Sequence, residues 1–394
     1  MVRYSFFIFL LVIALLDGLA HWYLYARLFR DPDWPAWVRR AGAVALVGLA
    51  IFLPLGMFLA RALDRRWAEP IAYGAYAYMG TLFYLLTILL SVDLVRMLSS
   101  GAQSVWAMLM RHPAEELLEP ERRDLLKAGA VGAGVATLGL AGAALRSGLS
   151  EVEVKEVEVK LSRLPSALSG LSLVQLTDVH VGPTIGKHFI DRIVEQTNRT
   201  RPDAVVITGD LVDGSVERLR EHVAPLAKLS ARYGVYFVTG NHEYYSGVGP
   251  WEEELRRLGI KVLRNERVEL GDAAKIDLGG VDDHTSAGMA PGHGPTVDRI
   301  IAGRDPEREL VLLAHQPRDI VLAEKAGAGL QISGHTHGGQ LWPFTGLVGL
   351  VQPYVAGLSR HDEHTQIYVS RGTGYWGPPM RLLAPSEITK IVLT

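Results

Sequence analysis

Three stretches near the start of the chain, residues 5–26, 41–60 and 71–92, are almost wholly apolar. As helices rising 1.5 Å per residue, each is long enough to cross a hydrocarbon core of about 30 Å. Backbone polar groups in lipid must be satisfied within the segment, so helices are the expected form. A fourth stretch, residues 128–145, is shorter and rich in Gly and Ala. Its Gly132 and Gly139 are expected to let another helix approach closely. Residues 1–147 therefore read as an N-terminal α-helical transmembrane region of three to four helices.

Basic residues orient these helices. With the N-terminus outside, the inner loops hold Arg27, Arg30, Arg39, Arg40, Arg96, Arg111, Arg122, Arg123 and Lys127, nine in all. The outer segments hold five: Arg3, Arg61, Arg65, Arg66 and Arg146. The positive-inside rule favours this arrangement, and four helices then leave the remaining chain outside the cytoplasm. Residues 121–127 (E-R-R-D-L-L-K) precede the fourth apolar run and resemble a twin-arginine export signal. Glu121 and Leu125 depart from its usual pattern, and an ordinary basic anchor is the plainer reading. Ala141-Gly142-Ala143 has the composition of a signal-peptidase site, but the helix is read as retained. Asp17 and His21 share a face of the first helix and are read as a paired or interfacial structural site. Asp93 and Arg96 are read as an interface pair.

From Glu151 the pattern changes. Valines 152, 154, 157 and 159 alternate with charged residues, the mark of a strand. Short apolar runs then recur at 171–176, 204–207, 235–238, 276–278, 310–313, 330–332, 367–369 and 388–392. Helical patterns lie between several of them, at 188–198, 216–230 and 250–258. Alternation of this kind predicts a layered α/β/α domain over residues 148–394. The net charge of −2 gives no electrostatic basis for nucleic acid as a partner. The absence of cysteine excludes thiolate zinc sites, disulfides and cysteine nucleophiles.

Five polar motifs follow the apolar runs: D-V-H (Asp178, His180), G-D-L-V-D (Asp210, Asp213), G-N-H-E (Asn241, His242, Glu243), A-H-Q (His315) and G-H-T-H-G-G-Q (His335, His337). Loops leaving the carboxyl ends of strands in an α/β sheet converge on one crevice, so the five are expected to meet. A carboxylate such as Asp210 can bridge two cations ~3.5–4 Å apart. Imidazole mixed with carboxylate and amide oxygen points to Mn, Fe or Zn. His188, His222, His284, His293, His361 and His364 lack this placement and read as surface residues. Asp282 and Asp283 read as turn residues.

These five motifs, in this order, resemble the calcineurin-like metallophosphoesterase superfamily. The stretch Arg371–Arg381 (R-G-T-G-Y-W-G-P-P-M-R), with Pro385-Ser386-Glu387-Ile388, resembles its membrane-associated bacterial branch. The resemblance covers residues 150–394 and implies two divalent metal ions. It assigns Asp178, His180, Asp210 and His337 to one metal, and Asp210, Asn241, His315 and His335 to the other, Asp210 bridging. It further implies that His242 assists the leaving group and that Asp213 supports the site. Glu243 stands where many relatives carry aspartate, which leaves its role open.

The implied activity is hydrolysis of a phosphodiester or pyrophosphate by in-line attack of a metal-activated hydroxide. The uncharged segment Leu341–Val351, beside a metal motif and in a membrane protein, suggests a lipid-linked or envelope substrate. A phosphoprotein phosphatase is one alternative, and a non-catalytic metal-binding membrane sensor or assembly factor is another. The expected location is a bacterial inner membrane, with the catalytic domain on the extracytoplasmic side. The cysteine-free chain allows a direct check of this topology. A cysteine replacing Ser150 should react with an impermeant maleimide added to intact cells, and labelling only after lysis would reverse the orientation.

Overall fold

The structure is a computed structural model and describes residues 2–110 and 119–394. Arg111, one of the charges used for orientation, lies outside the described residues. Two compact units are present, Met1–Leu145 and Arg146–Thr394.

The first unit contains four helices long and apolar enough to cross a membrane: α1 (Val2–Tyr25), α2 (Ala36–Ala62), α3 (Arg65–Met110) and α4 (Glu119–Gly148). Leu24, Leu46, Leu53, Leu82, Leu89 and Ala133 pack together between them. Leu15, Val44, Phe58 and Leu138 face outwards and are exposed. An apolar exterior around an apolar interior suits a bundle solvated by lipid rather than water. His21 is buried and couples two helices, its Nε2 2.7 Å from the Tyr78 hydroxyl and its Nδ1 2.8 Å from the Asp17 carbonyl.

Two expectations for this unit are corrected. Asp93 pairs with Arg27 (2.8 Å) and accepts from Tyr23 (2.6 Å) rather than joining Arg96, because side chains from the end of α1 and the π-helical turn after it reach across to Asp93. Open space lies beside Gly132 and Gly139; the close approaches are instead at Gly42, against the Phe29 ring, and at Gly56, against Ala75. Arg123, from the paired arginines, lies 3.4 Å from the Asp33 carboxylate. It opens one continuous helix that runs to Gly148.

The second unit alternates strands and helices: β1 (Glu153–Val159), β2 (Ser172–Leu176), α5 (Lys187–Arg199), β3 (Ala204–Thr208), α6 (Val216–Val223), β4 (Val235–Val238), α7 (Asn241–Ser246), α8 (Val248–Arg257), β5 (Lys261–Val262), β6 (Glu266–Leu270) and β7 (Ile276–Gly280). It continues through α9 (Asp298–Ile301), β8 (Leu310–Leu313), α10 (Ile320–Ala326), β9 (Leu330–Ser333), α11 (Phe344–Val351), β10 (Gly357–Arg360), β11 (Gln366–Val369) and β12 (Glu387–Leu393). The strands form two six-stranded mixed sheets, in the orders β1-β12-β2-β3-β4-β5 and β10-β11-β9-β8-β7-β6.

Residue alternation builds the layers. In a strand, successive side chains point to opposite faces. Leu173, Val206, Tyr236, Leu278, Val311, Leu330 and Tyr368 meet in one core shared by both sheets. Their neighbours Val174, Val205 and Phe237 instead pack with Ile190, Leu219 and Trp251 of α5, α6 and α8. Leu310, Leu312 and Ile367 pack with Ile300 of α9 and Ala323 of α10. The unit is thus layered α/β/α, with its β layer doubled. Strands buried on both faces need continuous apolar runs, which is why these runs stood out in the sequence. Strands β5, β6 and β10 were not legible, being short or charged at alternate positions. The helical pattern at 216–230 is cut at Val223 because Pro225 cannot donate a backbone N–H; Ala224–Lys228 form a 3₁₀ turn instead.

Candidate metal centre

Each polar motif follows a strand end. Strands β2, β3 and β4 of one sheet lead to Asp178, Asp210 and Asn241; β8 and β9 of the other lead to His315 and His335. Parallel pairing of β2, β3 and β4, and of β8 and β9, puts these ends on one edge of each sheet. The backbone must turn sharply there. Asp178, His180, Asp210, His335 and His337 all have positive φ, between 51° and 74°. Left-handed conformation is uncommon and costly for side-chain-bearing residues, and its concentration here marks a strained, over-determined site. Gly240 and Gly334 permit the close approach, since a Cβ on either would overlap the carboxylate of Asp210 or Asp178.

Three overlapping sets of side chains result: Asp178/His180/His337, Asp210/His315/His335 and His180/Asp210/His242. In the first, the Nε2 atoms of His180 and His337 are 3.0 Å apart, and His337 Nε2 lies 3.5 Å from Asp178 Oδ1. In the second, His315 Nε2 lies 3.1 Å from Asp210 Oδ2 and 3.2 Å from His335 Nδ1. Asn241 opens α7 with its Oδ1 buried and without a hydrogen-bond partner. A buried polar atom of this kind calls for an explanation, and a cation suits an amide oxygen held among carboxylates and imidazoles.

Outer contacts fix how the rings present themselves. His315 Nδ1 donates to the Thr208 carbonyl at 2.7 Å, which turns Nε2 towards Asp210. Asp213 Oδ1 receives Nδ1 of His180 (3.3 Å) and, through a short hydrogen bond, Nδ1 of His242. The Nε2 atoms of both rings are thereby turned towards the cluster. Glu243 does not orient His242. Its buried carboxylate accepts from the backbone N–H groups of Asp210 (3.0 Å), Leu211 (2.8 Å) and Gly240 (2.7 Å), clamping two ligand loops together.

Electrostatics follow from burial. Desolvation raises the Asp178 carboxyl and, with the Asp210 charge, pushes Glu243 up to about 7. Burial, the neighbouring His315 charge and further cations hold His335 down at about 3. Burial and the neighbouring His180 likewise keep His337 well below the usual imidazole range. Both are neutral at physiological pH, the form that ligates a cation. At Asp210 and His315 burial disfavours charge on each, but their mutual attraction prevails: Asp210 is held low and His315 well above its usual value. The same contest at His242, won by the Asp213 hydrogen bond and the surrounding carboxylates, raises it to about 9.

All nine residues singled out from the sequence lie at or beside this centre. Asp282 and Asp283 are fully buried, Asp282 paired with Arg264 (2.8 Å); Asp283 begins a turn as expected, its carbonyl accepting the Ser286 N–H (3.1 Å) while its carboxylate accepts from the Thr285 N–H (2.8 Å) and from Gln316 (3.0 Å). His284 is exposed, as expected, and lies 2.7 Å from Asp319, whereas His293 is only partly exposed, 2.9 Å from the Tyr244 hydroxyl. One residue escaped the sequence reading. Arg381 is fully buried, donates to the carbonyls of Gly374 (2.9 Å) and Ala384 (2.8 Å), and sets its Nη2 3.2 Å from His337 Nδ1. Its signal was the Arg371–Arg381 stretch, which follows β11 much as the other motifs follow their strands.

A family model described as calcineurin-like phosphoesterase matches residues 171–339. A Helicobacter pylori metallophosphoesterase is 41% identical over 279 residues, covering 71% of this chain and 74% of that protein. A metallophosphoesterase of Campylobacter jejuni is 32% identical over 389 residues, covering 97% of each. A zebrafish transmembrane protein with metallophosphoesterase domain is 44% identical over 249 residues, or 61% of this chain and 57% of that protein's length. The contacts of Asp213 generate a prediction. Asp213→Asn should leave the fold intact, as read by circular dichroism, yet raise the Mn²⁺ concentration for half-saturation by roughly 10–100-fold. An unchanged titration would show that Asp213 does not orient the cluster.

Proposed function

The chain belongs to the calcineurin-like metallophosphoesterase family, and we propose that it is a membrane-anchored hydrolase of phosphodiester or pyrophosphate bonds, using two divalent metal ions. The observation that carries this reading is the convergence of Asp178/His180/His337 and Asp210/His315/His335 from two sheets, with the unpartnered Asn241 Oδ1 beside them. We assign Asp178, His180, Asp210 and His337 to one ion and Asp210, Asn241, His315 and His335 to the other; Mn, Fe or Zn suits the donor set. When bound, the ions would lower the pKa of an attacking water and offset charge on the phosphate oxygens.

The chain's own groups do the rest. Asp210 accepts the His242 backbone N–H at 2.9 Å, so the ligand loop also seats the acid. Asp213 holds His242 by Nδ1, which leaves Nε2 to carry the proton towards a leaving oxygen. With its pKa raised to about 9, His242 is protonated at neutral pH and is poised as a general acid. Tyr245 and Trp376 stand edge-on to its ring, with centroids 5.1 and 5.7 Å away, and shield that side from water.

The substrate class in this reading is lipid-linked or of the cell envelope. Support comes from the four candidate spans in the same chain and from the exposed apolar helix α11 following the His335/His337 loop. The charge asymmetry of the loops favours a catalytic unit outside the cytoplasm of a bacterial inner membrane. A purified full chain loaded with Mn²⁺ should hydrolyse bis(p-nitrophenyl) phosphate faster than the mono-ester or a phosphopeptide. Preference for the phosphopeptide would favour a protein phosphatase, and no turnover of any ester would favour a non-catalytic metal protein. His242→Ala should keep its metal and lose about 10²–10⁴-fold in turnover. Wild-type turnover in that variant would remove His242 from the mechanism.

A further inference from the structure

Around the mouth of the metal centre the surface is apolar to an unusual degree. Residues 338–358 contain no charged side chain, and between 372 and 386 Arg381 alone is charged and is fully buried. Helix α11 buries none of its residues. Trp342, Phe344, Leu347, Leu350, Val351 and Leu383 are all exposed, Leu350 to 80% and Leu383 to 76%. Monomeric soluble proteins rarely leave such side chains clustered and uncovered.

Backbone pairing makes these segments one surface and links it to His242. The Gln340 side chain donates to the Trp376 carbonyl (3.0 Å) and accepts from the Trp376 N–H (3.0 Å). The Gln340 carbonyl receives the Leu382 N–H at 2.9 Å, and the Leu382 carbonyl receives the Trp342 N–H at 3.2 Å. Trp376, itself more than half exposed, stands against the His242 ring. The apolar surface therefore begins on the acid's side of the centre and runs outward through Trp342 and Leu383 to α11.

We propose that this surface inserts shallowly into one leaflet of the bilayer, so that lipid-borne phosphoesters enter the metal centre without leaving the membrane. Two observations select a bilayer over a protein partner. Protein interfaces carry roughly one hydrogen bond per 100–200 Å². Yet α11 offers only the Thr345 hydroxyl, and that already donates to Gly338. Four candidate spans in the same chain, joined to β1 by residues 149–152 alone, keep a bilayer within reach of this unit. Trp342, just before α11, is of the amphipathic aromatic type enriched at the headgroup level, and the Leu and Val of α11 supply apolar area to bury beside it.

The absence of native cysteine permits a clean test on the full chain. Leu350→Cys, labelled with an environment-sensitive fluorophore, is reconstituted in vesicles of phosphatidylcholine and phosphatidylglycerol. Quenching by doxyl-labelled acyl chains with protection from aqueous iodide is the expected result. Quenching by iodide alone overturns the proposal, and protection from both quenchers overturns it in favour of a protein cover. The second arm rests on the hydrolase reading above. In the L347E/L350E double variant, turnover of a vesicle-borne fluorescent phosphodiester relative to soluble bis(p-nitrophenyl) phosphate should fall about tenfold; an unchanged ratio contradicts the proposal. Loss of the hydrolase reading would show as no turnover in the wild type, leaving the quenching result to stand by itself.

Discussion

Everything in the catalytic unit depends on holding carboxylates and imidazoles together in a largely buried place. Asp178 and His315 are fully buried, and Asp210, His180 and His337 nearly so. Uncompensated charge in such a place is costly, which is why burial alone would drive Asp178 towards its neutral form. The fold meets this demand by geometry. Strand ends from two sheets turn through left-handed backbone and deliver their side chains to one point, where cations would complete the charge balance. Glu243 and Arg381, both buried, brace the loops from either side.

The two units solve opposite solvation problems with the same hydrophobic vocabulary. In the first, apolar residues face outwards as well as inwards, and some polar groups are tied to one another, as in His21 with Tyr78 and Asp93 with Arg27. In the second, apolar residues are drawn into three cores, and the polar motifs gather where the strands end. The surface from Trp376 to α11 breaks that pattern, being apolar and exposed in a unit that otherwise buries such residues. That break is what joins the chemistry to the membrane in this account.

Much of this was legible in the sequence because the strongest physical constraints leave periodic traces. Membrane-spanning helices need long uncharged runs, and doubly buried strands need short continuous ones. The nine motif residues given site roles could be read because their types suit metal and phosphate chemistry and their order resembles a known family. What escaped had no local trace. The doubling of the sheet arises from side-chain alternation over strands far apart in sequence. Nothing local shows that Asp282 and Asp283 are buried, because Arg264 and Gln316 reach them from elsewhere in the chain. Arg381 closes the Arg371–Arg381 stretch, but its burial and its partners, backbone carbonyls and His337, are not revealed by composition. The close contacts of the membrane helices fell at Gly42 and Gly56 rather than Gly132 and Gly139, since small residues permit approach without requiring it.

The central claim is that two cations share Asp210. Electron paramagnetic resonance of the purified full chain, titrated with Mn²⁺, tests this most directly. The account predicts saturation at two ions per chain with the multiline signal of an exchange-coupled pair. Saturation at one ion, or two ions with uncoupled spectra, would contradict it.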